Sequence, residues 1–135
     1  MNLRLRAGEK IYLNGAVVRF DRKVSIEILN DVSFLLEGHV LQASDATTPL
    51  RQLYFVVQSA LIGPANSTSI SALIRDMLKR TVESFSNREV LYGLFEVSAL
   101  LDRSRFFDCL RIIRSLYEIE ADVFRAQEQG DFRAA

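Results

Sequence analysis

The hydrophobic period of this chain changes partway along its length. Up to about residue 41, apolar side chains recur at every second position; from Pro49 onward they recur at every third or fourth. A period of two places alternate residues on opposite faces of a strand, and a period near 3.6 places them on one stripe of a helix. The change falls within residues 42–47, a stretch rich in Ser, Asp and Thr. The expected architecture is therefore α+β: a small antiparallel β meander or barrel over residues 1–44, followed by about four α-helices over residues 45–135.

Turn chemistry sharpens the first half. Leu3 and Leu5 alternate with Arg4 and Arg6, and Ala7-Gly8-Glu9 ends that run. Lys10, Ile11, Tyr12 and Leu13 form the next strand, closed by Asn14-Gly15. Asn-Gly suits a type I′ hairpin turn, because both central residues need positive φ. Val17, Val18 and Phe20 lead to the turn Asp21-Arg22-Lys23, Val24, Ile26 and Ile28 alternate with polar residues, and the pattern resumes at Val32 after Asn30-Asp31.

The second half carries helix signals. Thr48-Pro49 pairs an N-cap residue with proline at the first helical position. Leu53, Val56, Val57, Ala60 and Leu61 form one stripe, ended by Gly63-Pro64, and residues 65–69 read as a loop. A second helix buries Ile70, Leu73, Ile74, Met77, Leu78, Val82 and Phe85. Ser86-Asn87 caps a third, with Val90, Leu91, Leu94, Phe95, Ser98 and Leu101 inward. A long fourth helix is expected over residues 106–126, loosely capped by Ser104 and Asp108. It turns Phe106, Leu110, Ile113, Leu116 or Tyr117, Ala121 and Phe124 inward, and the tail from Gly130 is expected to fray.

Composition excludes several classes of function. Seventeen basic and seventeen acidic side chains balance, so no global field draws the chain to nucleic acid or to membranes. Residues 1–10 lack the apolar stretch of a secretion signal, and apolar runs such as 53–57 are too short to cross a bilayer, so a cytoplasmic protein is expected. The single cysteine, Cys109, falls on an inner helical position and reads as core filling. His39, the single histidine, has no companions for a metal site or a catalytic triad and reads as a surface or strand-end residue. No phosphate-binding glycine loop is present, so neither an enzyme nor a cofactor is expected.

What remains is a local imbalance. Up to residue 23, Arg4, Arg6, Lys10, Arg19, Arg22 and Lys23 oppose only Glu9 and Asp21. Strand alternation points Arg4 and Arg6 to one face while Leu3 and Leu5 turn inward, and it puts Lys10 and Tyr12 on one face of the next strand. Cations that meet phosphates, beside a ring that stacks on a base, are what single-stranded RNA needs. Arg4, Arg6, Lys10 and Tyr12 are thus the candidate RNA-binding residues. The same cations also suit a solvated sheet face that protects an edge.

Three blocks carry a family resemblance. Gly8-Glu9-Lys10-Ile11 with Leu13-Asn14-Gly15-Ala16-Val17-Val18 comes first. Thr47-Thr48-Pro49 with Arg51, Leu53-Tyr54-Phe55 and Gln58 follows, and then Arg111-Ile112-Ile113 with Leu116-Tyr117-Glu118 and Glu120-Ala121. In this order and spacing they resemble the FlbT family of alphaproteobacterial regulators. The resemblance implies post-transcriptional control of flagellin synthesis through the 5′ untranslated region of flagellin mRNA. It also implies a link to the companion regulator FlaF. A protein-interaction module that binds FlaF or flagellin, with only an indirect effect on the messenger, is the alternative. Residues 3–9 are also similar to the first strand and turn of the carbon storage regulator fold, which implies RNA contacts for Arg4 and Arg6. Where FlbT relatives tend to carry arginine after the last strand, this chain has Leu35-Leu36-Glu37-Gly38-His39. Open β edges are a further expected route to a homo-oligomer.

Overall fold

The computed structural model describes residues 1–62 and 67–134. Among these residues, five strands precede five helices. The strands are β1 (Asn2–Leu5), β2 (Lys10–Leu13), β3 (Ala16–Arg19), β4 (Val24–Glu27) and β5 (Phe34–Leu36). Two 3₁₀ turns, Glu37–His39 and Ala43–Asp45, lead to the helices α1 (Pro49–Ile62), α2 (Ser67–Glu83), α3 (Arg88–Asp102), α4 (Phe106–Ser115) and α5 (Tyr117–Ala134). The α+β class is as expected.

Pairing within the β half is neither a meander nor a closed barrel. β2 and β3 form the hairpin that Asn14-Gly15 predicts, with φ of 49° and 86° at the two turn residues. β5 adds to the other side of β2, while β1 pairs with β4 in a separate two-stranded sheet; all of these pairings are antiparallel. Alternation explains the arrangement. Leu3 and Leu5 with Val24 and Ile26 supply one apolar face; Ile11 and Leu13 with Val18, Phe34 and Leu36 supply another. Each sheet exposes a greasy side that only another layer can cover, and stacking the two covers both. Gly8, at φ +79°, turns the chain from one layer to the other, and its N–H donates to the Phe20 carbonyl at 2.9 Å.

The helices share a larger core around Leu50, Leu53, Val57, Ile74, Leu94, Val97, Leu110 and Ile113. The expected caps are in place: Thr48 Oγ1 accepts the Arg51 N–H, and Asn87 Oδ1 accepts the Val90 N–H. The two halves interlock. Leu35 of β5 belongs to the helical core, and Phe107 of α4 packs on Phe34 at a ring separation of 4.5 Å, joining the core between the sheets.

Several expectations are corrected. The single helix over residues 106–126 is two helices, broken at Leu116, whose N–H closes a tight turn on the Ile113 carbonyl. Leu116 packs closely on Gly93 of α3, where a Cβ would lie 2.7 Å from Leu116 Cδ1. With no side chain there, buried Leu116 can seat against α3. Ser104 takes positive φ, and Arg105 occupies the cap position of α4. α2 starts at Ser67, inside the expected loop, and α5 runs through Ala134, past the expected fraying. Phe95 and Leu73 were expected inside but are 57% and 50% exposed, while Val97 is buried. The Gly63-Pro64 stop lies outside the described residues.

Cys109 is fully buried, and its thiol donates to the Val97 carbonyl at 3.6 Å. Burial first, and then neighbouring Asp108, push the thiol up to about 12. The thiolate is the reactive form. A disulfide reagent at pH 8 should therefore leave Cys109 untouched in the native protein and label it within seconds in 6 M guanidinium. Stoichiometric labelling without denaturant would contradict this placement.

Candidate nucleic-acid interface

The β half presents its cations on two layers. Asn2, Arg4, Ser25 and Glu27 line the outer face of the β1–β4 sheet, all exposed, while Leu3 and Leu5 turn inward. Arg6 lies just past β1 in the connection to β2 and is exposed. Glu9 organises that turn by accepting the Arg6 N–H on Oε1 at 3.1 Å and donating its own N–H to the Arg6 carbonyl. Lys10 opens β2 directly opposite Arg19 of β3, and both are exposed. Among the described residues, Arg4, Arg6, Lys10 and Arg19 have no carboxylate within 4.0 Å.

This arrangement differs from a single two-strand surface. Because β1 pairs with β4, Arg4 has Ser25 as its neighbour, and Lys10 belongs to the other layer. The inner faces of the two layers meet, so the Arg4 face and the Lys10 face point away from each other, with Arg6 at the rim between them. Tyr12 departs further from expectation. It faces Leu35 across the β2–β5 pair and packs, half-buried, against the helical core, so its ring is not an open platform beside Lys10. The helices that cover it come later in the chain, and strand alternation alone carries no sign of them.

A second polar cluster, at the junction of strands and helices, was not singled out from sequence. The fully buried Glu120 of α5 accepts the Leu50 N–H at the start of α1 on Oε2, 2.9 Å away, and its Oε1 lies 3.7 Å from the Arg51 guanidinium. Arg51 sits over the Tyr117 ring at 4.3 Å, and the Tyr117 and Tyr54 rings lie 6.0 Å apart. Arg114 donates to the Tyr54 hydroxyl at 2.8 Å, and that hydroxyl donates in turn to the His39 carbonyl. Burial raises the Tyr54 phenol against the opposing hydrogen bond and charge of Arg114. Burial and then Tyr54 raise Tyr117 further, opposed by Arg51 and Arg114.

In one continuous helix Arg114 and Glu118 would stand at i,i+4 spacing. The break at Leu116 removes the continuous helix that such a pair needs, and Arg114 turns to Tyr54 instead. The available signal was the second and third family-like blocks. They hold Arg51, Tyr54, Tyr117 and Glu120, far apart in sequence and adjacent here. His39 is exposed in the turn after β5; desolvation and then Arg114 lower its pKa. Among the described residues no cluster of three His, Cys, Asp or Glu side chains could hold a metal ion, and no helix is long and apolar enough to cross a membrane.

The fold and site define an interlocked α+β protein with a cationic β leader and a buried polar junction. The model of the flagellar protein FlbT family matches residues 1–124, and the chain belongs to that family. It is 50% identical over 134 residues to the probable flagellum biosynthesis repressor protein FlbT of Chelativorans sp., covering 97% of this chain and 92% of the relative. The proteins of the same name from Rhizobium etli strain CFN 42 and Brucella ovis are 48% and 50% identical, across 95% and 94% of this chain and 86% and 84% of theirs. No solved structure matches.

The junction should be costly to disturb. Glu120→Ala leaves the buried Leu50 N–H unpaired and Arg51 without its carboxylate, and should lose about 2–4 kcal/mol of stability in urea unfolding. Glu120→Gln keeps an acceptor and should lose clearly less. Equal losses from the two substitutions would mean that the Leu50 bond contributes little.

Proposed function

We propose that this protein is a non-enzymatic post-transcriptional regulator of flagellin synthesis that acts in the cytoplasm on the 5′ untranslated region of flagellin mRNA. It would thereby control translation and transcript lifetime. Its relatives are named flagellum biosynthesis repressors, which supports the flagellar part of this reading. The observation that carries the RNA part is the set of exposed cations without carboxylate partners in the β leader. Residues 1–44 act as the RNA-contacting module and residues 45–135 as the helical module. Arg4 and Arg6 meet phosphates on one layer and at its rim, and Lys10 does so on the other. A strand following them bends around the Arg6 turn. Tyr12, packed on the helical core, anchors the strand that carries Lys10 and offers a base at most its ring edge.

A second reading has one observation in its favour. Tyr92 and Phe95 lie one turn apart on α3 and are 68% and 57% exposed. Such a surface suits a protein partner, FlaF or flagellin, whose capture would affect the messenger indirectly.

Gel shifts with the flagellin leader separate the two. Wild type should bind with an affinity that falls steeply with salt, and Arg4→Ala/Arg6→Ala should weaken binding and flatten the log–log salt slope by about 1.4, two single-strand phosphate contacts. Absence of RNA binding at 50 mM salt, together with tight FlaF capture, would leave only the second reading.

A further inference from the structure

Arginines in this protein are nearly all solvated. Among the described residues only Arg51 and Arg114 are partly buried. Withdrawing a guanidinium from water is unfavourable unless it is paired. Arg51 has Glu120 beside it, whereas Arg114 has no carboxylate within 4.0 Å among the described residues. Several well-exposed arginines of the helical half have such partners (Arg75 has Asp102, Arg80 has Asp76, and Arg105 and Arg111 share Asp108), while exposed Arg88 and Arg103, like Arg114, have none but remain in solvent. Arg114 is instead oriented by neutral groups. One nitrogen donates to Tyr54, and its guanidinium carbon lies 5.8 Å from the Tyr54 ring centroid. A fork-shaped cation with most of its five donors uncommitted, held by aromatic neighbours, is organised for an oxyanion.

Its position decides which oxyanion. The Tyr54 hydroxyl ties Arg114 to the carbonyl of His39, whose side chain is exposed. His39 closes the turn begun by Glu37, and Glu37 Oε2 accepts the backbone N–H of Lys10 at 3.0 Å. Lys10 faces Arg19 across the hairpin. Cationic groups therefore run from Arg19 and Lys10, past the 3₁₀ turn, to Arg114 and then Arg51. Two carboxylates lie along this line: Glu37, which accepts the Lys10 amide, and the buried Glu120, which is paired with Arg51 and with the Leu50 amide. Cations linked in this way through neighbouring contacts suit a polyanion with repeating phosphates better than a single small anion.

We propose that Arg114, with Arg51 and the exposed His39 turn beside it, forms a second phosphodiester-binding subsite, carrying the RNA strand from the β2–β3 face onto the helical half. This rests on the RNA-binding reading above and adds to it a contact surface remote from Arg4 and Arg6. Arg114 contacts the phosphate directly; Tyr54 is a positioning residue that aims it.

His39 offers the cleanest test, because the fold uses its carbonyl and leaves its side chain in solvent. The probe is a fluorescein-labelled flagellin-leader RNA, titrated by anisotropy from 50 to 200 mM potassium chloride. His39→Glu puts a carboxylate beside Arg114 and should weaken binding several-fold at 50 mM. His39→Arg should tighten it and steepen the salt slope, and Arg114→Gln should flatten the slope by about 0.7, one single-strand phosphate contact. Thermal melts accompany each variant, and the His39 pair decides the question if Arg114→Gln does not fold. Wild-type affinity and slope in both His39 variants, while Arg4→Ala/Arg6→Ala loses binding, would overturn the subsite and leave the RNA-binding reading standing. Failure of wild type to bind the leader at 50 mM would overturn both.

Discussion

The amide end of α1 is where the helical half is fastened. Pro49 has no N–H, Leu50 donates to Glu120, Arg51 donates to Thr48 Oγ1, and Gln52 begins the regular ladder on the Thr48 carbonyl. Every donor of the first turn is therefore satisfied without water. That matters because Leu50 is fully buried and an unpaired amide there would be expensive. A negative group at this end also suits the helix dipole. The unusual element is its source: the carboxylate arrives from α5, so the first helix is complete only after the last has docked. Arg51 then lies between Glu120 and the Tyr117 ring, and the rest of the polar junction is arranged around it.

Helix α4 couples the two halves of the chain. Phe107, near the start of α4, is committed to the core between the sheets; Arg114, near its end, is committed to Tyr54 and through it to the turn after β5. α4 thus touches the strand half at both ends, and Leu35 reaches back into the helices. A residue on the β2–β3 face is held at a fixed position relative to the helices, which is what a ligand spanning both would require.

Local chemistry, the β2–β3 hairpin included, was legible in the sequence, and pairing between distant strands was not. Asn14-Gly15, Thr48-Pro49 and Asn87 act within a few residues of themselves, and each took the conformation its side chain dictates. The outward direction of Arg4 follows from alternation in the same way. Alternation identifies which residues share a face but not which strand lies beside it, so the partnership of β1 with β4 could not be read. The break at Leu116 carries no glycine or proline of its own, and its close contact is with Gly93, on another helix. Tyr12 resembles any outward strand tyrosine until Leu35 and the helical core close over it. The Arg114–Tyr54 contact joins residues on different helices, and periodicity within either helix is silent about it. Leu73 and Phe95 show the reverse error, since apolar side chains at helical spacing need not face inward.

The passage from strands to helices has its own clasp. The Gln58 side chain accepts the Leu41 N–H at 2.7 Å and donates to the Leu41 carbonyl at 2.9 Å, imitating a neighbouring strand with one amide. Leu41 is thereby moored along α1 well past its first turn, while Thr48 sits at the head of the same helix. The stretch between them is a bight with both ends made fast to one spar. Between the two moorings the chain closes its own short turn, Asp45 donating to the Gln42 carbonyl and Ala46 to that of Ala43, so the bight hangs from fixed ends.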